Sequence, residues 1–321
     1  MNVLLSRPDR VGDVVISTTL IPALRATAGM GRISFLGREA VRALIAPMVD
    51  DFVAIEMPDL AGRVRDLRVD VSLHLHPHAD AASACFAAGV SRRIGYDAEA
   101  DRLTETLPYQ KSRGDRHEAE YGFELAARIS VRPPARLAPL IRVEPRPDLF
   151  VSGQRALAIH VGASGEKARL PEALLLQVAR AWLRAAGPEG TRIMWLGSAD
   201  ERVVGDRLAG QLGGDESVNL CGALTLPELA GVAGAATVFM GRDSGPAHLA
   251  AAAGGRVVVV FPAARADMSV ARWRPLGDRV TIFEVPGRAR WWEKTEYASR
   301  RLFARIRPEA LAERVIEAAS C

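Results

Sequence analysis

The sequence has few cysteines, which argues against a fold held together by disulfides or by a zinc ribbon. Cys85, Cys221 and Cys321 are odd in number and form no CxxC pair. A disulfide framework and a zinc ribbon both need more cysteines at closer spacing. We therefore expect a reduced protein in which the cysteines are core or tail residues.

Long apolar runs are also missing from the sequence. No uncharged apolar segment approaches the roughly 18 residues that a membrane-spanning helix needs, and the segment 1–7 is too short for a signal peptide. With 49% hydrophobic and 25% charged residues, the composition is that of an ordinary soluble protein. We expect a cytoplasmic protein with two domains of about 150 residues each.

The net charge is small, and lysine is rare. The chain carries 42 basic and 38 acidic side chains, a formal net charge of +4, and its only lysines are Lys111, Lys167 and Lys294. Residues 272–307 hold ten basic side chains against four acidic ones. This surplus fits a phosphorylated ligand or the anionic inner face of a membrane, and a solvated basic face equally well. We expect no nucleic-acid partner.

Short β-branched runs alternate with helical stretches along the whole chain, which is typical of parallel βαβ units. Strands are predicted at 2–6, 32–36, 52–57, 69–75, 156–161, 192–196, 218–221, 237–241 and 257–261. Helices are predicted at 14–28, 38–46, 60–67, 79–88, 117–129, 171–186, 201–212, 226–235 and 246–253. The predicted fold class is α/β, with two doubly wound Rossmann-like domains.

A proline-rich linker separates the two predicted domains. Five of the 19 prolines lie within residues 133–147. We expect an N-terminal domain at 1–145 and a C-terminal domain at 151–321, with a ligand cleft between the carboxyl ends of their sheets. A last helix at 308–320 follows the second sheet, and we expect it to pack back on the first domain.

The segment 237–252 runs from an apolar strand through a glycine-containing turn into a helix predicted to begin at Pro246. Free backbone N–H groups and the positive end of the helix dipole make such a start an anion site. His248 is placed to donate a hydrogen bond there, and Asp243 to accept from sugar hydroxyls. In the competing interpretation Asp243 or Ser244 caps the helix, and His248 is a satisfied buried histidine.

A second unit of strand, loop and helix, at 156–171, places Lys167 in a glycine-bearing loop. One charge-assisted contact from this lysine to a diphosphate would contribute about 1.5–3 kcal/mol. The loop matches neither the GxxxxGK[ST] nor the GxGxxG nucleotide-binding pattern. The alternative is an exposed loop lysine.

At the amino terminus, the first strand leads through Gly12 to Asp13 and a helical run. A carboxylate at that edge of a sheet is suited to act as a general base, a role worth about 10²–10⁴-fold in rate. Aspartate directly before a helix is also a preferred N-cap. Both interpretations stay open.

Three of the six histidines cluster at His74, His76 and His78. At a spacing of two, His74 and His76 face the same side of a strand end, as a metal-binding pair would. No further histidine or cysteine cluster completes a coordination sphere. We therefore favour structural or acceptor-loop histidines over a metal site.

Four sequence patterns follow one another in a distinctive order. They are Leu4-Leu5 with Val11-Gly12-Asp13-Val14-Val15; Arg93-Ile94-Gly95-Tyr96 with His117-Glu118; Lys167 and Pro171 with Leu196-Gly197-Ser198 and Glu201; and Asp243-Ser244-Gly245-Pro246-Ala247-His248-Leu249-Ala250. Together they resemble glycosyltransferase family 9, the ADP-heptose:lipopolysaccharide heptosyltransferases, which have the GT-B fold. The resemblance spans about residues 1–280. Loops 167–171 and 262–265 depart from the family pattern, so the base and sugar of the donor stay open.

The resemblance implies inverting transfer of a sugar, most simply a heptose from ADP-heptose, to a lipopolysaccharide core or another anionic saccharide or glycolipid. Asp13 would deprotonate the acceptor, and a lysine and a helix N-terminus would neutralise the departing diphosphate without a metal or other cofactor. The implied donor contacts are Lys167, Ser244, Gly245 and His248 to the diphosphate, Asp243 to the sugar, and Glu201, Leu224 and Thr225 to the nucleoside. The candidate acceptor contacts are Arg92, Arg93, Lys111, Arg113 and Arg116.

Two other functions fit the same architecture. A nucleotide-sugar epimerase or hydrolase would convert the donor without an acceptor and would keep its activity when Asp13 is changed. A non-catalytic nucleotide-sugar-binding module would bind the donor tightly without turnover.

Overall fold

The computed structural model describes residues 1–110, 114–150, 152–163, 169–187, 190–214, 216–262, 269–285 and 302–320, without the side chains of residues 99 and 100. The chain divides into two compact units, Met1–Arg142 and Val143–Cys321. The boundary falls inside the proline-rich segment 133–147. Every helix in the described part of the chain is too short or too polar to span a lipid bilayer.

Six parallel strands form the sheet of the first unit. They are β1 Val3–Ser6, β2 Ile33–Gly37, β3 Asp51–Ala54, β4 Val71–His74, β5 Arg92–Tyr96 and β6 Glu105–Leu107. Their order across the sheet is β3-β2-β1-β4-β5-β6. β1 pairs with β2 on one side and with β4 on the other, so that Val3 is level with both Ile33 and Val71.

The helices described in the first unit are α1 Val11–Ser17, α2 Leu20–Arg25, α3 Arg42–Ile45, α4 Leu60–Asp66, α5 Ala79–Ala87 and α6 Glu118–Ala126. The sequence predicts a single helix at 14–28, but the structure divides it into α1 and α2. Between them, the hydroxyls of Thr18 and Thr19 donate to carbonyl oxygens three residues earlier, and Pro22 cannot donate from its backbone.

The second unit repeats this architecture. Its strands are β7 Arg155–His160, β8 Thr191–Leu196, β9 Ser217–Asn219, β10 Val238–Arg242, β11 Val257–Phe261 and β12 Val280–Glu284, in the order β12-β11-β10-β7-β8-β9. Its helices, among the described residues, are α7 Glu172–Ala186, α8 Arg202–Leu212, α9 Leu226–Ala235, α10 Gly245–Ala252, α11 Val270–Trp273 and α12 Pro308–Ser320.

The central strands of the second unit are buried on both faces. Leu157 and Ile159 of β7 pack in one apolar cluster, and the alternating Ala156 and Ala158 pack in another. The first cluster contains residues of α7 and α12, and the second contains residues of α9 and α10. Helix α12 is therefore part of the core of its own unit, and its packing on the first domain stays a prediction.

The strand order reverses at one point in each sheet, between β1 and β4 in the first unit and between β7 and β10 in the second. Connections leave the carboxyl ends of these two strands in opposite directions, which opens a crevice where doubly wound sheets bind their ligands. The predicted α/β fold with two doubly wound sheets is confirmed. Each unit therefore has one switch point that is suited to bind a ligand.

Candidate active site

The turn between β10 and α10 lies at the switch point of the second unit. Helix α10 begins at Gly245, Pro246 occupies its second position, and the N-cap residue Ser244 makes no capping hydrogen bond through its side chain. The Ser244 hydroxyl donates instead to the carbonyl oxygen of Arg242 at 3.1 Å. Asp243 precedes the N-cap position, so the capping interpretation is wrong for both residues. No described side chain caps this helix start, which favours an anionic ligand there.

His248 is buried in the first turns of α10, with 3% of its surface exposed. Its Nε2 lies 3.6 Å from Oδ1 of Asp243, and its Nδ1 is buried without a hydrogen-bond partner among the described residues. His248 is therefore not the satisfied histidine of the competing interpretation. A buried unpaired polar atom costs about 1–3 kcal/mol, and a ligand that hydrogen-bonds to this nitrogen would remove that penalty.

His160 ends β7 on the other side of the switch point and was not predicted as a site residue. Its Nδ1 lies 3.4 Å from the Ser244 hydroxyl. Burial lowers the pKa of His160 to about 4; Glu201 opposes this effect, and Arg242 and Arg169 add to it. A neutral imidazole thus joins the ends of β7 and β10. A polar residue that ends an otherwise buried apolar strand was the available sequence signal.

Two arginines bring positive charge to this edge, and neither was predicted as a ligand. Arg242 ends β10 with 7% of its surface exposed, and its guanidinium carbon lies 5.7 Å from the centroid of the Phe303 ring. Arg169 follows β7 and lines a cavity of about 360 Å³ near the start of α7. Together with the α10 dipole, these charges favour binding of an anion at the edge of the sheet.

Glu201 lies beside the ends of β7 and β8. Its Oε2 accepts hydrogen bonds from the N–H and the hydroxyl of Ser198, both at 2.7 Å, and Oε1 lies 3.2 Å from Nη2 of Arg169. Burial raises the pKa of Glu201, but the Ser198 hydrogen bonds and the charge of Arg169 outweigh it and lower the pKa. A Cβ at Gly162 would lie 2.7 Å from this carboxylate, so glycine there permits its approach.

Two further predicted donor contacts, Leu224 and Thr225, lie at the start of α9. Thr225 is the N-cap residue of α9 and forms a capping box with Glu228, whose carboxylate accepts from the Thr225 N–H at 2.8 Å. Leu224 is partly buried against the cluster beside α9 and α10. The nucleoside contacts of these two residues stay predictions, and Lys167 lies outside the described residues.

The switch point of the first unit is organised around the buried Arg7, which follows β1. Its Nη2 donates to Oδ1 of Asp13 at 2.7 Å. Its Nη1 donates to Oε1 of Glu118 and to the carbonyl oxygen of Leu75, both at 2.9 Å. Nε lies 2.9 Å from Oδ2 of Asp9. Because Leu75 directly follows β4, Arg7 links the two strands at which the sheet order reverses.

Asp13 lies in the first turn of α1, but the N-cap residue is Arg10, which makes no side-chain capping bond. The N-cap interpretation of Asp13 is therefore wrong, and its carboxylate bonds to Arg7 instead. About a fifth of the Asp13 side chain, 21%, is exposed. The Asp13 carboxylate thus binds Arg7 and keeps part of its surface exposed.

The charge of Arg7 is secured by the acidic groups around it. Burial by itself would lower the pKa of Arg7, but Glu118, Asp13 and Asp9 raise it above its ordinary value. The guanidinium stays charged, and its planar fork holds several acceptors in fixed directions. Neither Arg7 nor Glu118 was predicted as a site residue, although Glu118 belongs to one of the four sequence patterns.

Of the candidate acceptor residues that the structure describes, Arg92 and Arg93 lie in β5, and Arg116 lies just before α6. Arg92 pairs with Glu105 at 2.7 Å and is level with Val71 at the amino end of β4. Along the strand direction, Arg92 and Arg93 are about 10 and 7 Å from the level of Ser6, where β1 ends. Arg116 lies 3.2 Å from Glu124, two residues before Glu118. Lys111 and Arg113 lie outside the described residues.

The histidine cluster begins at the carboxyl end of β4, where His74 is the last residue of the strand. His74 is buried, and its Nε2 lies 3.0 Å from the Ser72 hydroxyl. Burial lowers the pKa of His74 to about 4, with Arg93 and His78 adding to the effect. Within the described part of the chain, no group of three or more His, Cys, Asp and Glu side chains is placed to hold a metal ion.

Two doubly wound parallel sheets in one chain are the architecture of the GT-B fold. The sequence profile of glycosyltransferase family 9 (heptosyltransferase) matches residues 59–296. Because this match covers more than half of the sequence, the chain belongs to that family and is a glycosyltransferase. A search of curated protein sequences gives no significant match.

Solved structures share this fold over the whole chain. ADP-heptose lipopolysaccharide heptosyltransferase II of E. coli superimposes with a TM-score of 0.81 at 19% identity, covering 100% of this chain and 99% of its own. A glycosyltransferase of family 9 from Veillonella parvula gives 0.82 at 14%, covering 99% and 97%. E. coli heptosyltransferase WaaC with ADP-2-deoxy-2-fluoro heptose gives 0.72 at 16%, covering 99% of both chains.

Proposed function

We propose that this enzyme transfers a heptose or a related sugar from an ADP-sugar to a hydroxyl of an anionic saccharide or glycolipid, with inversion at the anomeric carbon. Family membership supports the reaction class, and the fluoro-heptose bound to the E. coli relative supports the donor. The observation that carries the proposal is the uncapped start of α10 beside the unpartnered Nδ1 of His248. This corner suits a diphosphate.

The donor is proposed to bind to the second unit. The N–H groups at the α10 start and the His248 imidazole hold the diphosphate, and the helix dipole stabilises its charge. Asp243 accepts from hydroxyls of the transferred sugar. The proposed diphosphate contacts are Lys167, Ser244, Gly245 and His248, and the proposed nucleoside contacts are Glu201, Leu224 and Thr225.

The proposed chemistry is a single displacement. The acceptor oxygen attacks the anomeric carbon from the face opposite the diphosphate, and the bond from that carbon to the phosphate oxygen breaks. The electron pair leaves with the nucleoside diphosphate, and the hydroxyl proton passes to Asp13. Lys167 and the α10 start stabilise the charge that develops on the leaving group.

The acceptor is proposed to approach Asp13 from the side that its exposed surface leaves open. An anionic acceptor fits the positive residues that precede α6, namely Lys111, Arg113 and Arg116. Arg92 and Arg93, which open β5, stay proposed acceptor contacts as well.

An Asp13→Asn variant tests the proposed base. We expect transfer from ADP-heptose to a heptose-free lipopolysaccharide core to fall by at least about 10²-fold, with the Kd for ADP within about twofold of wild type. Asp80→Asn is the matched control, because Asp80 lies exposed in the first turn of α5, after β4. It should transfer at the wild-type rate.

The same variants separate the competing functions. Loss of ADP affinity together with activity would contradict the assignment of Asp13 to the acceptor. Donor consumption without an acceptor, retained in Asp13→Asn, would indicate an epimerase or hydrolase. Tight ADP-heptose binding by the wild type without any turnover would indicate a binding module.

The nucleotide itself is tested by thermal unfolding. A ligand at about 100 times its Kd stabilises the native state by about 2.7 kcal/mol. We expect ADP to raise the Tm more than UDP, GDP or dTDP does. A larger shift with another nucleotide would contradict the ADP-sugar and leave the reaction class intact.

A further inference from the structure

Glu118 is a buried carboxylate for which the proposed reaction has no direct use. It lies in the first turn of α6, its side chain is 1% exposed, and its Oε1 accepts from Nη1 of Arg7 at 2.9 Å. Residues 7 and 118 are 111 positions apart in the chain. The fold thus brings a second carboxylate to the arginine that holds Asp13.

Stability alone is a weak reason for such an arrangement. Burying charges requires their desolvation, and replacing a buried ion pair by well-packed apolar residues is often neutral or stabilising. Arg7 binds Glu118 through one end of its guanidinium and Asp13 through the other, at 2.9 and 2.7 Å. The planar fork therefore transmits both the position and the charge of Glu118 to Asp13.

We infer that Glu118 is a positioning residue for transfer: through Arg7 it fixes the orientation of the Asp13 carboxylate and preserves the power of that carboxylate to accept a proton. The inference rests on the proposed role of Asp13 as the base. Glu118 contacts neither donor nor acceptor in this scheme.

Glu118 affects the basicity of Asp13 because both carboxylates share the single positive charge of Arg7. A carboxylate paired with an arginine of its own is a weak base, because the arginine favours the ionised form. A second carboxylate on the same guanidinium has the opposite effect, because like charges favour protonation. Other charged and titratable groups surround Arg7 and Glu118. They come from the β1–α1 loop, α1, β5 and the α6 region, and they are Asp9, Asp13, Tyr96, Arg116, His117 and Glu124.

Tyr96 is a second titratable group on which the charge of Glu118 acts. Burial raises the pKa of Tyr96, the charges of Glu118 and Glu124 raise it further, and Arg7 and Arg116 act in the opposite direction. Because the Tyr96 hydroxyl donates to the carbonyl oxygen of Tyr121 at 2.9 Å, it stays a neutral donor. Of the three carboxylates around Arg7, Glu118 is buried, and Asp9 and Asp13 keep 24% and 21% of their side chains exposed. Asp13 is the one proposed as the base.

Glu118→Gln tests the inference, because glutamine keeps an oxygen for Arg7 and removes only the charge. We expect kcat to fall about three- to tenfold, the KM for ADP-heptose to stay within about twofold, and the acidic limb of the kcat–pH profile to move by about one pH unit toward lower pH. Glu39→Gln is the control, because Glu39 is an exposed carboxylate of the same unit paired with Arg42 at 2.6 Å. It should leave the profile unchanged.

A charge-preserving variant separates the electrostatic effect from loss of shape. Glu118→Asp keeps the charge but shortens the side chain, so we expect a lower kcat with the acidic limb at its wild-type position. If Glu118→Gln does not fold, Glu118→Asp alone tests the inference. An acidic limb of the kcat–pH profile displaced toward lower pH in Glu118→Asp would then overturn it.

Failure of the inference and failure of the proposed base give different results. If Asp13→Asn still transfers, Asp13 is not the base and the proposed function fails first. If Asp13→Asn is inactive and Glu118→Gln has the wild-type kcat and pH profile, the proposed base stands and the inference about Glu118 is wrong.

Discussion

Mild acid should destabilise the second unit through a single histidine, His160. Its pKa is about 4 in the folded protein, mainly because burial disfavours the charged form, against about 6.5 in an unfolded chain. As the pH falls below 6.5, the unfolded state therefore binds this proton before the folded state does. The stability contributed by the neutral imidazole is complete above pH 6.5 and is lost as the pH falls toward 4.

The size of the effect follows from the two pKa values. At pH 5 the unfolded histidine is almost fully protonated, and the folded one is protonated to about a tenth. By linkage this difference lowers the free energy of unfolding by about 2 kcal/mol relative to pH 7.5. Other titrating groups add their own contributions, so the measurement must isolate the part that belongs to His160.

The comparison of wild type with His160→Gln isolates it. The sequence of the first unit, residues 1–142, contains no tryptophan, and Trp182, Trp195 and Trp273 lie in the second unit, so tryptophan fluorescence in urea reports the unit that contains residue 160. Any stability that the substitution costs at both pH values cancels. We expect the wild type to lose about 2 kcal/mol more than the variant between pH 7.5 and 5. Equal losses would refute the reasoning.

Three further changes test the architecture around the sites. Arg7→Met should lower the stability of the first unit by about 3–5 kcal/mol, because it leaves Glu118 buried and without this arginine; an unchanged Tm by circular dichroism would argue against the cluster. Gly222→Ala should cost about 1–3 kcal/mol in urea unfolding, because Gly222 has φ +70° and a new Cβ would lie 2.6 Å from the Cα of Ala199; an equally stable variant would contradict this. Thr225→Ala should cost about 1 kcal/mol through loss of its capping bond, and Thr225→Ser should restore most of it.

Although the predicted β9 is only partly buried, most strands that the sequence predicts are buried on both faces. Such strands read as continuous apolar runs, and β11, Val257–Phe261, has the predicted bounds. Three strands, β5, β6 and β12, were not predicted. β5 opens with Arg92 and Arg93, β6 has three residues, and β12 is only partly buried. Their pairing depends on neighbours that single-sequence patterns do not contain.

The candidate sites were predictable in part. Strand, turn and helix signals place Asp13 and the Ser244 turn at carboxyl ends of strands, and the structure has them at the two switch points. The same signals cannot tell a helix cap from a free side chain, since that depends on atomic contacts. Glu118 could not be connected to Arg7 from sequence, because the contact joins residues 111 positions apart.

Calorimetric titration with ADP tests the central claim, that the α10 start and His248 form the diphosphate site. His248→Leu suits this test, because Nδ1 of His248 has no described hydrogen-bond partner and Nε2 lies 3.6 Å from Oδ1 of Asp243, beyond hydrogen-bond distance. Its loss should therefore cost little stability. We expect its Kd for ADP to rise at least about tenfold above wild type, the loss of one charge-assisted hydrogen bond, with Asp13→Asn within about twofold. A wild type that does not bind ADP, or a His248→Leu variant that binds it unchanged, would contradict the claim.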